Sequence, residues 1–180
     1  MSREYGNPKP VKAAVYRQVV AEMAAAHKAP KRIAEIGIWA GDLSKEFVGH
    51  CPDSELTIID PWLAFAWRDG SNFHSQTEMD ALALDVMRWA EAQTNVRVLR
   101  SKSLDAVGLF DDGYFDFIHF DHDKDPVTFS QDLKAWWPKL ADGGNFNGDN
   151  YEDDRVSRPV SEMFPEHRTA AKGRVWWIVK

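Results

Sequence analysis

Short apolar runs alternate with segments of helical period along this chain, and that alternation constrains the fold more than any other feature of the sequence. From Val11 to about His27 the residues Val15, Val19 and Met23 recur every four positions and the pattern ends at Ala29-Pro30, which predicts an amphipathic helix. Apolar or β-branched runs then appear at Arg32–Ile36, Leu56–Ile59, Val96–Leu99, Phe115–Phe120, after the turn Gly143-Gly144, and at Val175–Val179. Between them lie predicted helices: about Asp42 to His50, a segment introduced by the capping box Ser75–Glu78 and ending near Gln93, a short helix through Leu109 capped by Ser103, one opened by Asp125-Pro126 and running to Pro138, and a last one after Asp153-Asp154 that Pro159 interrupts. Strands separated by helices read as crossover units, hence a parallel sheet with helices on both faces. Phe115–Phe120 is almost wholly apolar, as expected of a central strand buried on both sides. Residues 61–74 show no sustained period and read as a loop or short lid.

Composition narrows the partners. The 180 residues carry a formal net charge of −6, which gives no general attraction to nucleic acid or anionic lipid, although Lys9, Lys12, Lys28, Lys31 and Arg32 make the first helix locally basic. Cys51 is the one cysteine, so neither an internal disulfide nor a thiolate metal cluster is expected. Nothing approaches the ~20 apolar residues needed to span a bilayer, and the start MSREYGNPKP has no apolar signal core. The expectation is a single cytoplasmic domain over residues 1–180, with residues 1–30 an N-terminal helical region and 31–180 the core.

The chemistry gathers where strands end. Glu35-Ile36-Gly37-Ile38-Trp39-Ala40-Gly41 follows the first strand and opens a helix, a place where exposed backbone N–H groups and glycine allow close approach of a ligand. Asp60 ends the second strand, at about the ~20-residue spacing from Gly37 at which an acidic side chain accepts hydrogen bonds from ribose hydroxyls; the alternative is an Asp that caps a loop before Pro61. Trp39 stands where a dinucleotide-binding turn has its second glycine, which disfavours a pyrophosphate. A nucleoside ligand is the expectation. Asp121 after the fourth strand and Asp149-Asn150 after the fifth would meet at the top of a parallel sheet and offer hard oxygen ligands to a divalent cation, magnesium first; the alternative is a turn at Asp149-Asn150. Among the histidines, His119 reads as a core residue. His122 and His74 read the same way, with a smaller claim as a ligand neighbour and a substrate contact. Trp62, Phe65 and Trp67 either wall a pocket or pack.

The motif Glu35-x-Gly37-x-x-x-Gly41, the acidic Asp60 and the triplet Asp60-Pro61-Trp62 resemble the class I S-adenosylmethionine-dependent methyltransferases. The segment Trp136-Trp137-Pro138-x-Leu140-x-x-Gly143-Gly144 is similar to a small-molecule group that includes macrocin-type sugar O-methyltransferases. The resemblance implies a Rossmann-like three-layer α/β sandwich, mostly parallel with a C-terminal antiparallel strand, and S-adenosylmethionine held by Glu35, Gly37, Gly41, Asp60, Trp62, Ser103 and Asp121. Asp121, Asp149 and Asn150 resemble the cation ligands of catechol-type and caffeoyl-type O-methyltransferases. Lys124 matches the lysine that takes the substrate proton in catechol-type enzymes, although macrocin-like relatives more often have histidine there; the alternative is a solvated surface lysine. The implied activity is metal-assisted O-methylation of a small hydroxylated molecule, catechol-like or a sugar, against metal-independent methylation or a non-catalytic nucleoside-binding protein. Two departures stand out: Asn145 and Asn147 lie where the family places apolar residues and need partners if buried, and Pro159 should shorten or kink the last helix. Without long N-terminal inserts the site is expected to be open or completed by a second subunit, as in a homodimer.

Overall fold

The computed structural model describes residues 10–26, 30–66, 73–122 and 124–180. Helix α1 (Pro10–Ala26) precedes β1 (Arg32–Ile36), α2 (Asp42–His50), β2 (Glu55–Ile59), a two-residue hairpin of β3 (Phe65–Ala66) and β4 (Phe73–His74), α3 (Gln76–Glu91) and β5 (Val96–Leu99). Then follow α4 (Ser103–Ala106), β6 (Phe115–Phe120), α5 (Pro126–Trp136), β7 (Leu140–Gly148), α6 (Asp154–Met163), β8 (Arg168–Ala170) and β9 (Val175–Val179). Apart from β3 and β4, which pair with each other, the described strands form one sheet in the order β5-β2-β1-β6-β7-β9-β8, parallel through β7 and antiparallel for β9 and β8. The chain is therefore the expected α/β sandwich with an antiparallel C-terminal strand.

Local chemistry accounts for most boundaries. Ser75 and Glu78 close the capping box at the start of α3. Asp125 accepts a hydrogen bond from the Thr128 N–H with Pro126 in the first turn of α5, and Asp153 caps α6. Alternating strand residues feed two apolar layers. Ile33, Ile58 and Phe117 pack with Val20, Phe47 and Val86 on one face, and Ile118, Phe120 and Phe146 pack with Phe129, Leu133, Trp136 and Trp176 on the other.

Several expectations are corrected. Gly143-Gly144 lies inside β7, where Gly143 has φ 78° and the register against β6 shifts between Phe115 and Phe117. A bulge absorbs the glycines that looked like a turn. Ser103 is the first residue of α4; Lys102 holds the cap position, and the Ser103 hydroxyl instead accepts the indole N–H of Trp136 at 2.7 Å. Pro159 sits within α6 without ending it. The segment 61–74 contains the β3–β4 hairpin, while Trp67 lies outside the described residues. Strand β8 had no sequence signal: it is short and exposed at the sheet edge.

The two asparagines of β7 are satisfied. Asn147 donates through Nδ2 to the Ile118 carbonyl (3.1 Å) and to Asn145 Oδ1 (2.9 Å), which leaves its Oδ1 to accept from His119 Nδ1 at 2.6 Å. That network assigns the Nδ1–H tautomer to His119. Burial lowers the His119 pKa to about 4, with the Asn147 bond and Asp149 opposing, so the ring is neutral at physiological pH.

Candidate active site

Register brings the proposed site residues into line. Ile36 pairs with Ile59 on one side and Phe120 on the other, and Phe120 pairs with Gly148. One residue beyond that row stand Gly37, Asp60, Asp121 and Asp149, on four adjacent strands. Each still donates its backbone N–H to the neighbouring strand: Gly37 to Ile59 (2.9 Å), Asp60 to Leu99 (3.2 Å), Asp121 to Ile36 (2.8 Å) and Asp149 to Phe120 (3.0 Å). The four are thus fixed by the sheet itself, at the carboxyl edge where open α/β sheets bind ligands.

The turn after β1 is built by left-handed residues. Gly37 has φ 90°, Trp39 φ 54° and Gly41 φ 74°. A Cβ on Gly37 would lie 2.3 Å from the Asp121 carbonyl oxygen, so only glycine lets the ends of β1 and β6 approach as they do. Asp60 clamps this turn from the side: its Oδ2 accepts from the N–H groups of Ile38 (2.7 Å) and Trp39 (3.2 Å), and its Oδ1 from that of Trp62 (2.7 Å). The loop-capping alternative for Asp60 is thus seen directly, and its Oδ1, with one donor, keeps a second lone pair.

Trp62 holds the turn without lining it. Its ring is fully buried, and its indole N–H donates to the Trp39 carbonyl at 3.0 Å, so the expected contact with a donor molecule gives way to a scaffold role. Glu35 is also buried and accepts the Ser44 hydroxyl at 2.6 Å. Burial, reinforced by Asp121, Asp60 and Asp42, raises its pKa well above the carboxylate range against the Ser44 bond. Its part is to join β1 to α2. Above the turn, Trp39 meets Phe65 and His74 edge-on at 5.6 and 4.9 Å between centroids, which folds the β3–β4 hairpin over the glycine segment. The sequence marked 61–74 as a loop or short lid and Phe65 as packing or pocket wall, but not the strand pairing or the contact with Trp39.

Around β6 and β7 two acids meet two bases. Lys124 Nζ lies 3.7 Å from Asp121 Oδ1 and donates to the His122 carbonyl at 3.3 Å. Partial withdrawal from water and then Asp149 raise the pKa of Asp121, whose side chain is 35% exposed, to about 7, with Lys124, Arg174 and His122 acting in the opposite sense. Arg174 was missed by the sequence reading. It donates Nε–H to Asp149 Oδ1 at 2.6 Å and Nη2–H to Oδ2, a bidentate pair that raises the arginine pKa. His122 turns inward, its Nε2 3.1 Å from Asp132 Oδ2 and its ring between Phe120 and Phe129, away from the ligand-facing role held open for it.

The expected cation shell of Asp121, Asp149 and Asn150 does not fit this arrangement. Both Asp149 oxygens are engaged by a guanidinium, and its side chain is only 1% exposed. Asn150 adopts φ 58° and its carbonyl accepts the Asp153 N–H at 2.9 Å, which favours the turn reading of this pair. Among the described residues no group of three or more His, Cys, Asp or Glu side chains is placed to hold a metal ion. A separate cavity of about 570 Å³, lined by Pro30, Arg32, Cys51 and Ser54, lies at the opposite end of β1 and β2 from this row. No helix among the described residues is long and apolar enough to cross a membrane.

Known structures share the architecture. A protein from Corynebacterium glutamicum superposes with a TM-score of 0.68 at 18% identity, over 97% of this chain and 82% of the other. An SAH-bound methyltransferase from Podospora anserina gives 0.67 at 16% identity, over 92% and 77%. The O-methyltransferase TomG from Streptomyces achromogenes, solved in complex with SAM, gives 0.60 at 19% identity, over 93% and 80%. At these identities the likeness is one of fold. No curated protein matches by sequence. The profile of the methyltransferase domain, however, matches residues 34–151, from within β1 to just beyond β7, and on that match the chain belongs to the methyltransferase-domain family.

Proposed function

We propose that this protein is an S-adenosylmethionine-dependent methyltransferase acting on a hydroxyl oxygen of a small molecule. The observation that carries the reading is the row Gly37–Asp60–Asp121 on β1, β2 and β6, with a left-handed glycine turn clamped by Asp60 at its centre. Support also comes from the family and from neighbours of the same fold solved with SAM or SAH. Bound at this edge, S-adenosylmethionine would supply an electrophilic methyl group on a sulfonium sulfur.

The chain's own part is positioning and charge. Asp60 and the glycine turn that it clamps form the nucleoside end, and Asp121 and Lys124 flank the place where an acceptor enters. The acceptor hydroxyl passes its proton to Lys124; its oxygen forms the O–CH3 bond while the S–CH3 bond breaks and sulfur keeps the electron pair. Lys124 must be in its amine form to do this. Turnover of the donor to S-adenosylhomocysteine against a panel of catechols and sugars tests the reading. Lys124→Ala should slow the reaction by ~10²-fold or more; an unchanged rate would remove Lys124 from the mechanism, and no turnover with any hydroxylated acceptor would count against O-methylation. The Arg174–Asp149 pair favours the metal-independent form of this activity.

A further inference from the structure

We propose that Arg174 occupies the place of a divalent cation, so that its guanidinium is the fixed positive charge of the acceptor subsite and the enzyme works without a metal. The inference rests on the methyltransferase reading. Three observations support it.

The first is occupancy. A divalent cation takes carboxylate oxygens at roughly 2.0–2.6 Å, whereas Asp149 already presents both oxygens to Nε and Nη2 of Arg174. A cation could bind there only after the guanidinium had left and exposed a carboxylate whose side chain is now 1% accessible. The second is delivery. Strand β9 runs antiparallel to β7 with Gly148 opposite Trp176, and the Tyr151 N–H donates to the Arg174 carbonyl at 2.8 Å. The same hairpin that completes the sheet therefore carries Arg174 to the end of β7, and its side chain stays 31% exposed at that edge. The third is charge. The guanidinium of Arg174 answers the carboxylate of Asp149, and Lys124 lies beside Asp121 in the same cluster. The carboxylate that a dication would need is thereby already matched by a guanidinium, which is planar, always charged and suited to bidentate recognition of a carboxylate. A preorganised cation of this kind stabilises charge developing on an acceptor oxygen without reorganising during the reaction.

The test uses Mn2+ as the probe. Electron paramagnetic resonance of Mn2+ titrated into the full chain, with S-adenosylmethionine present, should show no saturable uptake, and any donor turnover should be the same in EDTA as in Mg2+. Arg174→Gln should lower kcat by ~10²-fold, with Arg174→Lys recovering part of the loss because it restores the charge without the fork. Saturable Mn2+ uptake by the unmodified protein that Asp149→Asn removes would overturn the proposal, as would turnover abolished by EDTA or a normal kcat in Arg174→Gln. Should Arg174→Gln fail to fold, the measurements on the unmodified protein decide. If S-adenosylmethionine does not bind at all, the methyltransferase reading fails, and the Mn2+ titration without donor still reports on the cation site.

Discussion

Gly37→Ala and Gly41→Ala make a matched pair, because both glycines have positive φ but only one has backbone against it. The conformational penalty for an L-residue in the left-handed region is about 1–2 kcal/mol and should be common to the two variants. At Gly41 the new methyl group would meet a Val86 side-chain carbon at 3.3 Å, which a small rotation relieves. At Gly37 it would meet the Asp121 carbonyl oxygen at 2.3 Å, the Asp121 carbonyl carbon at 2.5 Å and the His122 nitrogen at 2.6 Å, all backbone. Relief there means moving the end of β6 by roughly 1 Å, and overpacking of that kind costs a further ~1–3 kcal/mol. Urea unfolding followed by tryptophan fluorescence should therefore place Gly37→Ala about 2 kcal/mol below Gly41→Ala. Because the displaced segment carries Asp121, Gly37→Ala should also bind S-adenosylmethionine at least ~10-fold more weakly than Gly41→Ala. Equal destabilisation by the two substitutions would refute the close approach of β1 and β6.

Asp60→Ala removes the acceptor for three backbone N–H groups, and it should cost about 1–3 kcal/mol in urea unfolding and weaken donor binding in calorimetry; unchanged binding would show that Asp60 serves its loop alone. His119 is buried and neutral with its pKa lowered to about 4. The unfolded chain takes up the proton near pH ~6.5 and the folded chain does not, so the stability contributed by neutral burial is complete above that pH and is lost as pH falls toward 4, by up to about 3 kcal/mol. His119→Gln can still donate to Asn147 but cannot titrate, and its unfolding free energy should fall less steeply across that window; an identical slope would contradict the assignment. For Lys124→Ala the loss is expected in kcat, with donor affinity retained.

The fold was legible wherever a residue's neighbours in sequence determine its structure. Strands β1, β5, β6 and β9 have the boundaries that their apolar runs predict, and the caps at Ser75 and Asp125 form as written. The row at the carboxyl edge followed from strand ends alone, since parallel register aligns Gly37, Asp60, Asp121 and Asp149. What sequence could not show was partnership across the sheet. Arg174 is separated from Asp149 by 25 positions and reaches it only through the antiparallel pairing of β7 with β9. A signal did exist: an acidic residue ending a central strand becomes buried and must find a cation, and a basic residue just before the final strand lies within reach. The asparagines of β7 were opaque for the same reason, because their partner His119 belongs to another strand and looked like an isolated core histidine. Trp62 misled differently. Its position beside Asp60 suggested a ligand contact, but a left-handed backbone at φ 45° turns the ring into the core and puts its N–H on the glycine turn.

The account stands most directly on whether the glycine turn and Asp60 form a nucleoside site. Calorimetric titration of S-adenosylmethionine into the purified chain, with EDTA present, measures that without knowledge of the acceptor. The account predicts one-to-one binding that Asp60→Ala and Gly37→Ala each weaken while Lys124→Ala leaves it intact. Absence of binding by the unmodified protein, with and without added Mg2+, would contradict it and leave a methyltransferase fold without its donor.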